Sequence, residues 1–333
     1  RFAVILGAAL MTGGALVRTA DTWFWALLAG QIAIAVGQPY IVNAISKLVT
    51  DWFSEDQGAL ATGIGTMGMF LGMALGLATT PALVESFGLR ATMVIFAAIA
   101  ALTLIAFVIW GRENPATITS GTADPNASLG SAERAATTQL RRLLRDRRRV
   151  VLAVLAFLGL GVFNGLTTWL ELILAPHGID AVQAGSIGGV IILGGIFGAV
   201  IVPLFSDLTR RRKPFLLLGV AIALAVVYPL CTGANYSVLL LLGGLLGFFF
   251  LPAFALLLEM CAQVAGPRSA GAATSLLMLA GNAGGVALIL AMDGVKRGPD
   301  FEPAVLLLIA LLTVTFVGAA LFAPETFARA DAE

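Results

Sequence analysis

The chain carries its apolar residues in blocks of about 20, the length that crosses the ~30 Å hydrocarbon of a bilayer as a helix. Ten blocks follow one another, at 2–17, 23–49, 57–84, 89–110, 150–174, 183–205, 214–233, 236–264, 268–292 and 303–323. Strands of a membrane barrel would run about 10 residues with alternating polarity, whereas these blocks are apolar on every side. Their Gly and Pro residues suit membrane helices, because neighbouring helices satisfy the freed backbone groups. The sequence therefore predicts an all-α integral membrane protein with about ten transmembrane helices. Composition agrees: 59% of the 333 residues are hydrophobic and 12% charged, against roughly 25% charged in soluble domains.

One polar segment, residues 111–149, leaves four spans before it and six after. It opens on Gly, Pro, Ser, Thr and Asn, a linker composition, and closes on Arg141, Arg142, Arg145, Arg147, Arg148 and Arg149. Lys and Arg near the span ends set orientation. Of the 20 Lys and Arg, the side with Arg1, Lys47, this segment, Arg210 to Lys213, Arg268 and Arg329 holds all but Arg18, Arg90, Lys296 and Arg297. The side bearing the long loop and the C-terminus is thus expected to be cytoplasmic, in a multi-pass protein of the plasma or inner membrane. Cys231 and Cys261 sit apart in apolar blocks, and the single histidine, His177, lies in a short loop. No disulfide framework or metal-ligand pattern is spelled. No cofactor and no metal are expected, and without a nucleophile–base pair, no enzyme. The net charge of +1 is silent on nucleic acid, and no such partner is expected; the partners are the lipid bilayer and a small-molecule solute, for a monomer.

An internal repeat organises the spans. Ala61-Thr62-Gly63 resembles Ala273-Thr274-Ser275, and Gly72 falls opposite Gly284, both 212 positions on. The same offset sets Arg1 opposite Lys213 and Gly7 opposite Gly219. The four early spans then correspond to the last four of the later six. The counterpart of the start near Val150 falls about 60 residues ahead of Arg1, room for two helices. An odd number of helices per repeat would invert the second half, and the charge distribution shows no inversion. The expectation is two parallel six-helix repeats with helices 3–12 present: an N-terminal half over 1–110 lacking its first two helices, a cytoplasmic linker over 111–149, and a C-terminal six-helix half over 150–333. Two six-helix halves joined by a long basic loop resemble the major facilitator superfamily.

The loop Ser206-Asp207-Leu208-Thr209-Arg210-Arg211-Arg212-Lys213 resembles that superfamily's cytoplasmic signature between the second and third helices of each half. The resemblance implies a gate in which Asp207 pairs with nearby basic groups, Arg210 and Arg211 among them, while the cluster rests against the anionic leaflet. A topology anchor is the plainer alternative. Gly63, Gly65 and Gly68 spell a dinucleotide-type G-x-G-x-x-G, but such a site needs a strand before it, and here the motif lies inside an apolar helix. Gly68, Gly72 and Gly76, like Gly194, Gly195 and Gly198, read as small-residue faces for close helix packing.

Gln38-Pro39-Tyr40-Ile41-Val42-Asn43-Ala44 with Lys47, Trp52-Phe53 and Ala61-Thr62-Gly63-Ile64-Gly65 resemble the subfamily containing the cellular receptors for feline leukaemia virus subgroup C. Ala184 to Gly188, Asp207, Gly247-Phe248-Phe249, Glu259 and Ser269-Ala270-Gly271 continue the likeness in the second half. That subfamily is associated with choline, related amines and, in older accounts, haem. It is similar in using an aromatic cage, built with a Trp on the first helix, which is outside this chain. Its seventh-helix Tyr falls at Asn164 and its fifth-helix Gln near Phe70. The resemblance is therefore carried to a small organic solute and not to choline itself.

An ionisable residue within a span is expensive and a functional candidate by default. Glu171 follows Asn164, Thr168 and Trp169 towards the outer end of the seventh helix, and Glu259 lies towards the cytoplasmic end of the tenth. The alternatives are a headgroup-zone carboxylate or an intraprotein salt bridge. The solute-facing set is Gln38, Asn43, Asn164, Trp169, Glu171, Glu259 and Asn282; the amides equally suit interhelical hydrogen bonds. Together these features predict a secondary transporter that moves a small neutral or cationic organic solute by alternating access, by uniport or with protons. A metabolite or drug exporter of the same superfamily is the alternative, and a receptor or sensor on a transporter scaffold the alternative of another class.

Overall fold

The computed structural model describes residues 2–20, 22–52, 55–111, 146–266, 270–298 and 300–325, without the side chains of 43, 45–47, 49–51, 55–63, 66, 270 and 271. Its helices are α1 (Phe2–Val17), α2 (Phe24–Trp52), α3 (Glu55–Trp110), α4 (Arg147–Leu174), α5 (Ala181–Thr209), α6 (Lys213–Thr232), α7 (Tyr236–Ala265), α8 (Ala270–Val295) and α9 (Glu302–Phe322). Gly88 breaks α3 into two arms with φ 80 and ψ 163, a conformation essentially restricted to glycine. The ten expected spans therefore fall on α1, α2, the two arms of α3, and α4 to α9. Eight helical stretches among the described residues are long and apolar enough to cross a membrane. One of them, Met67–Trp110, holds parts of both α3 arms, and α1 at 16 residues is shorter than the rest.

Local chemistry sets the ends. Asp146 caps α4, its carboxylate accepting from Arg148 N at 3.0 Å. Asp180 and Gln183 form a reciprocal capping box at α5, and Asn235 caps α7. The helices form two compact units: α1, α2 and α3 without Met73–Ala78, and α4 to α9 with Met73–Ala78. In the second unit α4 packs along α8, α5 along α7, and α6 against α7 and α9. Apolar side chains such as Leu166, Leu170, Leu174, Ile187, Leu230 and Leu308 fill its interior.

Glycines set the closest approaches, as expected where helices associate without a hydrophobic drive between them. A Cβ at Gly198 would strike the Phe248 carbonyl of α7, and one at Gly284 the Phe157 carbonyl of α4. The 212-residue offset reappears in this packing. A Cβ at Gly7 would lie 2.9 Å from the Gly37 carbonyl oxygen, and one at Gly219 would lie 2.5 Å from that of Phe249; Gly37 and Phe249 are themselves 212 apart. The helix bounds keep the same offset, Phe24 to Tyr236 at the starts of α2 and α7. The Gly68, Gly72 and Gly76 face departs from expectation: a Cβ at any of the three meets nothing within 4 Å. Gly284, the counterpart of Gly72, is covered by Phe157.

Candidate functional site

The six helices of the second unit alternate in direction, so its polar groups collect at two ends and along one face. At the end bearing residues 206–213, α5 closes on Arg210 in the left-handed conformation (φ 51), and α6 begins at Lys213. Between them Ser206 Oγ donates to the Arg211 carbonyl at 2.9 Å, tightening the turn. Arg212 is turned inward and is 8% exposed. Its Nη2 lies 3.5 Å from Asp207 Oδ1 and 3.5 Å from Glu259 Oε1. Gln263 Nε2 donates to the same Glu259 oxygen at 3.1 Å. Glu325 then caps the start of α6, accepting from Arg212 N at 2.8 Å and Lys213 N at 3.3 Å, where a carboxylate complements the helix dipole. The cluster thus joins α5, α6, α7 and the segment after α9. Of the expected gate residues, Asp207 is in it, while the side chains of Arg210 and Arg211 are exposed. Glu259, expected to face solute, is paired here.

The face runs along α4 and α8, which are parallel neighbours. On α4, Asn164, Thr168 and Glu171 fall within one stripe at helical spacing; Asn164 is half-buried and the other two are exposed. On α8, Asn282 is exposed, its Nδ2 donating to Met278 O at 2.9 Å. Gly161 and Gly165 point α4 at α8, and Gly284 and Leu288 point α8 at α4. With that facing direction fixed, 100° per residue puts the α4 stripe and Asn282 on the same side of the pair. Asn164 lies directly beside Gly285, where a Cβ would stand 2.7 Å from its Nδ2. A polar strip on helices this apolar has a reason to face water or solute, since lipid would satisfy none of it.

At the opposite end, Trp169 is turned to α8 and α9 instead. Its Nε1 donates to Ile289 O at 3.2 Å, and its ring lies 5.3 Å from that of Phe301. Lys296 Nζ sits over both, 4.6 Å from the Trp169 centroid and 5.5 Å from that of Phe301, and pairs with Asp293. Carboxylates outnumber cations there: Glu171, Asp180, Asp293, Asp300 and Glu302 stand against Lys296 and Arg297 among the described residues of this unit. Lys296 and Phe301 carry no motif; only the fold brings them to Trp169. In the first unit, Gln38 is exposed on α2, and Asn43 lies on α2 with its side chain outside the described residues.

Comparison with known proteins agrees with this architecture. A model of the Major Facilitator Superfamily matches residues 1–288. The human choline/ethanolamine transporter FLVCR2 is 26% identical over 346 aligned residues, covering 99% of this chain and 65% of its own length. A protein of Archaeoglobus fulgidus is 35% identical over 175 residues, 53% of this chain and 79% of that protein. Among solved structures, a D-xylose–proton symporter superposes with a TM-score of 0.73 at 12% identity, over 98% of this chain and 81% of the symporter. A bacterial homologue of the lysosomal transporter Spinster, inward-facing and unoccupied, gives 0.68 at 16% identity, over 96% and 83%. The chain spans about two thirds or less of the length of the choline/ethanolamine transporters it matches. Apolar helices, parallel repeat register and family match lead to one assignment: the chain is a multi-pass membrane protein of the Major Facilitator Superfamily.

Proposed function

We propose that this chain is the transporting core of a secondary carrier that moves a small neutral or cationic organic solute by alternating access. The carrying observation is the strip of Asn164, Thr168 and Glu171 beside Asn282 on two otherwise apolar helices. It supplies amide, hydroxyl and carboxylate groups to a solute, and its one charge is negative. The names of the relatives in the choline/ethanolamine group support the same solute class. The halves divide around the linker at 111–149, with that linker and the C-terminus cytoplasmic and the protein in the plasma or inner membrane as a monomer. Asp207, Arg212 and Glu259 then lie at the cytoplasmic face, where forming and breaking their pairs contributes to closing and opening that side.

The test is uptake of radiolabelled ethanolamine, choline and a panel of amines and neutral solutes by the full-length protein in proteoliposomes. Saturable uptake of at least one amine or neutral solute, reduced tenfold or more by Glu171→Gln or Asn164→Leu, is expected. Uptake confined to organic anions, or indifferent to both substitutions, overturns the proposal.

A further inference from the structure

The transport reading uses the strip on α4 and α8 but leaves unexplained why the protein stacks its own lysine on an aromatic pair at the other end. Trp169 and Phe301 form two walls, and the Trp169 ring is fixed in place by its N–H bond to Ile289 O. Asp293 supplies a carboxylate to the same ammonium. Two aromatic faces and a carboxylate around one nitrogen are the groups that recognise an organic ammonium. The end that carries them is rich in carboxylates, which raises the local concentration of cations. The Lys296 side chain is 27% exposed, so its position is reachable from solvent. Lys296 stands at the C-terminal end of α8, on a short tether that gives it a high effective concentration at the rings.

We infer that Trp169, Phe301 and Asp293 form an ammonium-binding subsite at the outer end of the six-helix unit, occupied in this conformation by Lys296 as a tethered competitor. A solute ammonium enters by displacing Lys296, which swings to solvent. The inference deepens the transport reading by naming the solute's recognised group, and it rests on that reading for the subsite's place on the solute's route.

A ligand that must wait for an open site binds more weakly by the fraction of time the site is open. If Lys296 occupies the rings about nine-tenths of the time, removing its charge tightens binding roughly tenfold. The experiment measures binding of labelled tetramethylammonium to the full-length protein in lipid nanodiscs by equilibrium dialysis. Lys296→Met keeps the aliphatic stem and is expected to bind about tenfold more tightly than the unsubstituted protein. Lys296→Arg, which keeps a cation over the rings, is expected to bind no more tightly. The gain should vanish when Trp169→Leu or the exposed Asp293→Asn is added to Lys296→Met; two separate removals guard against one that fails to fold, which melting in nanodiscs identifies. Unchanged binding in Lys296→Met, or a gain that survives loss of both Trp169 and Asp293, overturns the inference and marks Lys296 as a structural clasp. Uptake measured on the same variants separates the two readings. Unchanged binding with intact amine uptake removes the subsite and leaves the transporter. Tighter binding in a protein that moves neither an amine nor a neutral solute keeps the subsite and removes the transport reading.

Discussion

Replacing Arg212 by Met tests whether the cluster around residues 206–213 is held by that residue and not by its exposed neighbours. At 3.5 Å a unit charge pair is worth about 1 kcal/mol in water-like surroundings and about 5 kcal/mol at an effective dielectric near 20. Arg212 is 9% exposed at its side chain, but Asp207 and Glu259 are 57% and 50% exposed, so solvent screening places both pairs towards the lower value. The desolvation of the guanidinium at a nearly buried position enters the single substitution of Arg212 and cancels in a double-mutant cycle. The expected coupling is about 1 kcal/mol for each pair. The assay is a double-mutant cycle on thermal unfolding in nanodiscs, combining Arg212→Met with Asp207→Asn and, separately, with Glu259→Gln. Each cycle isolates one pair whatever else Arg212 touches. Arg210→Gln and Arg211→Gln serve as references and should show no coupling to Asp207. A value below about 0.3 kcal/mol in both Arg212 cycles, the scatter of independent sites, or coupling of Asp207 to Arg210 or Arg211 instead, rules out Arg212 as the residue that holds the cluster.

A packed and an open glycine give a contrast: Gly219→Leu, driven against the Phe249 carbonyl, should cost about 1–3 kcal/mol in nanodisc melting. Gly68→Ala, with nothing near its Cβ, should be neutral or gain up to about 1 kcal/mol from helix propensity. Glu325→Gln removes the charge from the α6 cap and should lower stability by about 0.5–1 kcal/mol, an effect that shrinks with added salt. Gly88→Ala forces a side chain into a backbone region reserved for glycine and should cost about 1–3 kcal/mol, read as a lower melting temperature.

The membrane spans were legible because a helix in lipid must close its own hydrogen bonds over a fixed thickness, which imprints length and hydropathy on the chain. The repeat was legible too: a few matches at a shared offset sufficed, and the structure repeats that offset as a packing register at Gly7 and Gly219. The candidate site was less readable. Four consecutive basic residues, Arg210 to Lys213, look alike in sequence. Arg212 turns inward because α5 ends on a left-handed Arg210 and Glu325, 113 positions away, holds the backbone at the start of α6. Glu259 was visible as an intramembrane carboxylate, but its neighbours Arg212 and Gln263 were not visible as its partners. The Gly68, Gly72 and Gly76 stripe shows the reverse limit, since small-residue spacing marks a face fit for packing without saying what lies against it.

That this chain lives in lipid and that its helices repeat in parallel could be read from the sequence alone. Each follows from short-range rules of hydrophobic length and helical period. The packing of the helices put Asn282 beside Asn164, Thr168 and Glu171, set Arg212 rather than Arg210 or Arg211 against Asp207, and laid Lys296 on Trp169 and Phe301. Those neighbours come from different helices, and their meeting depends on how glycine-lined helix pairs set their distance and rotation, which no local pattern encodes.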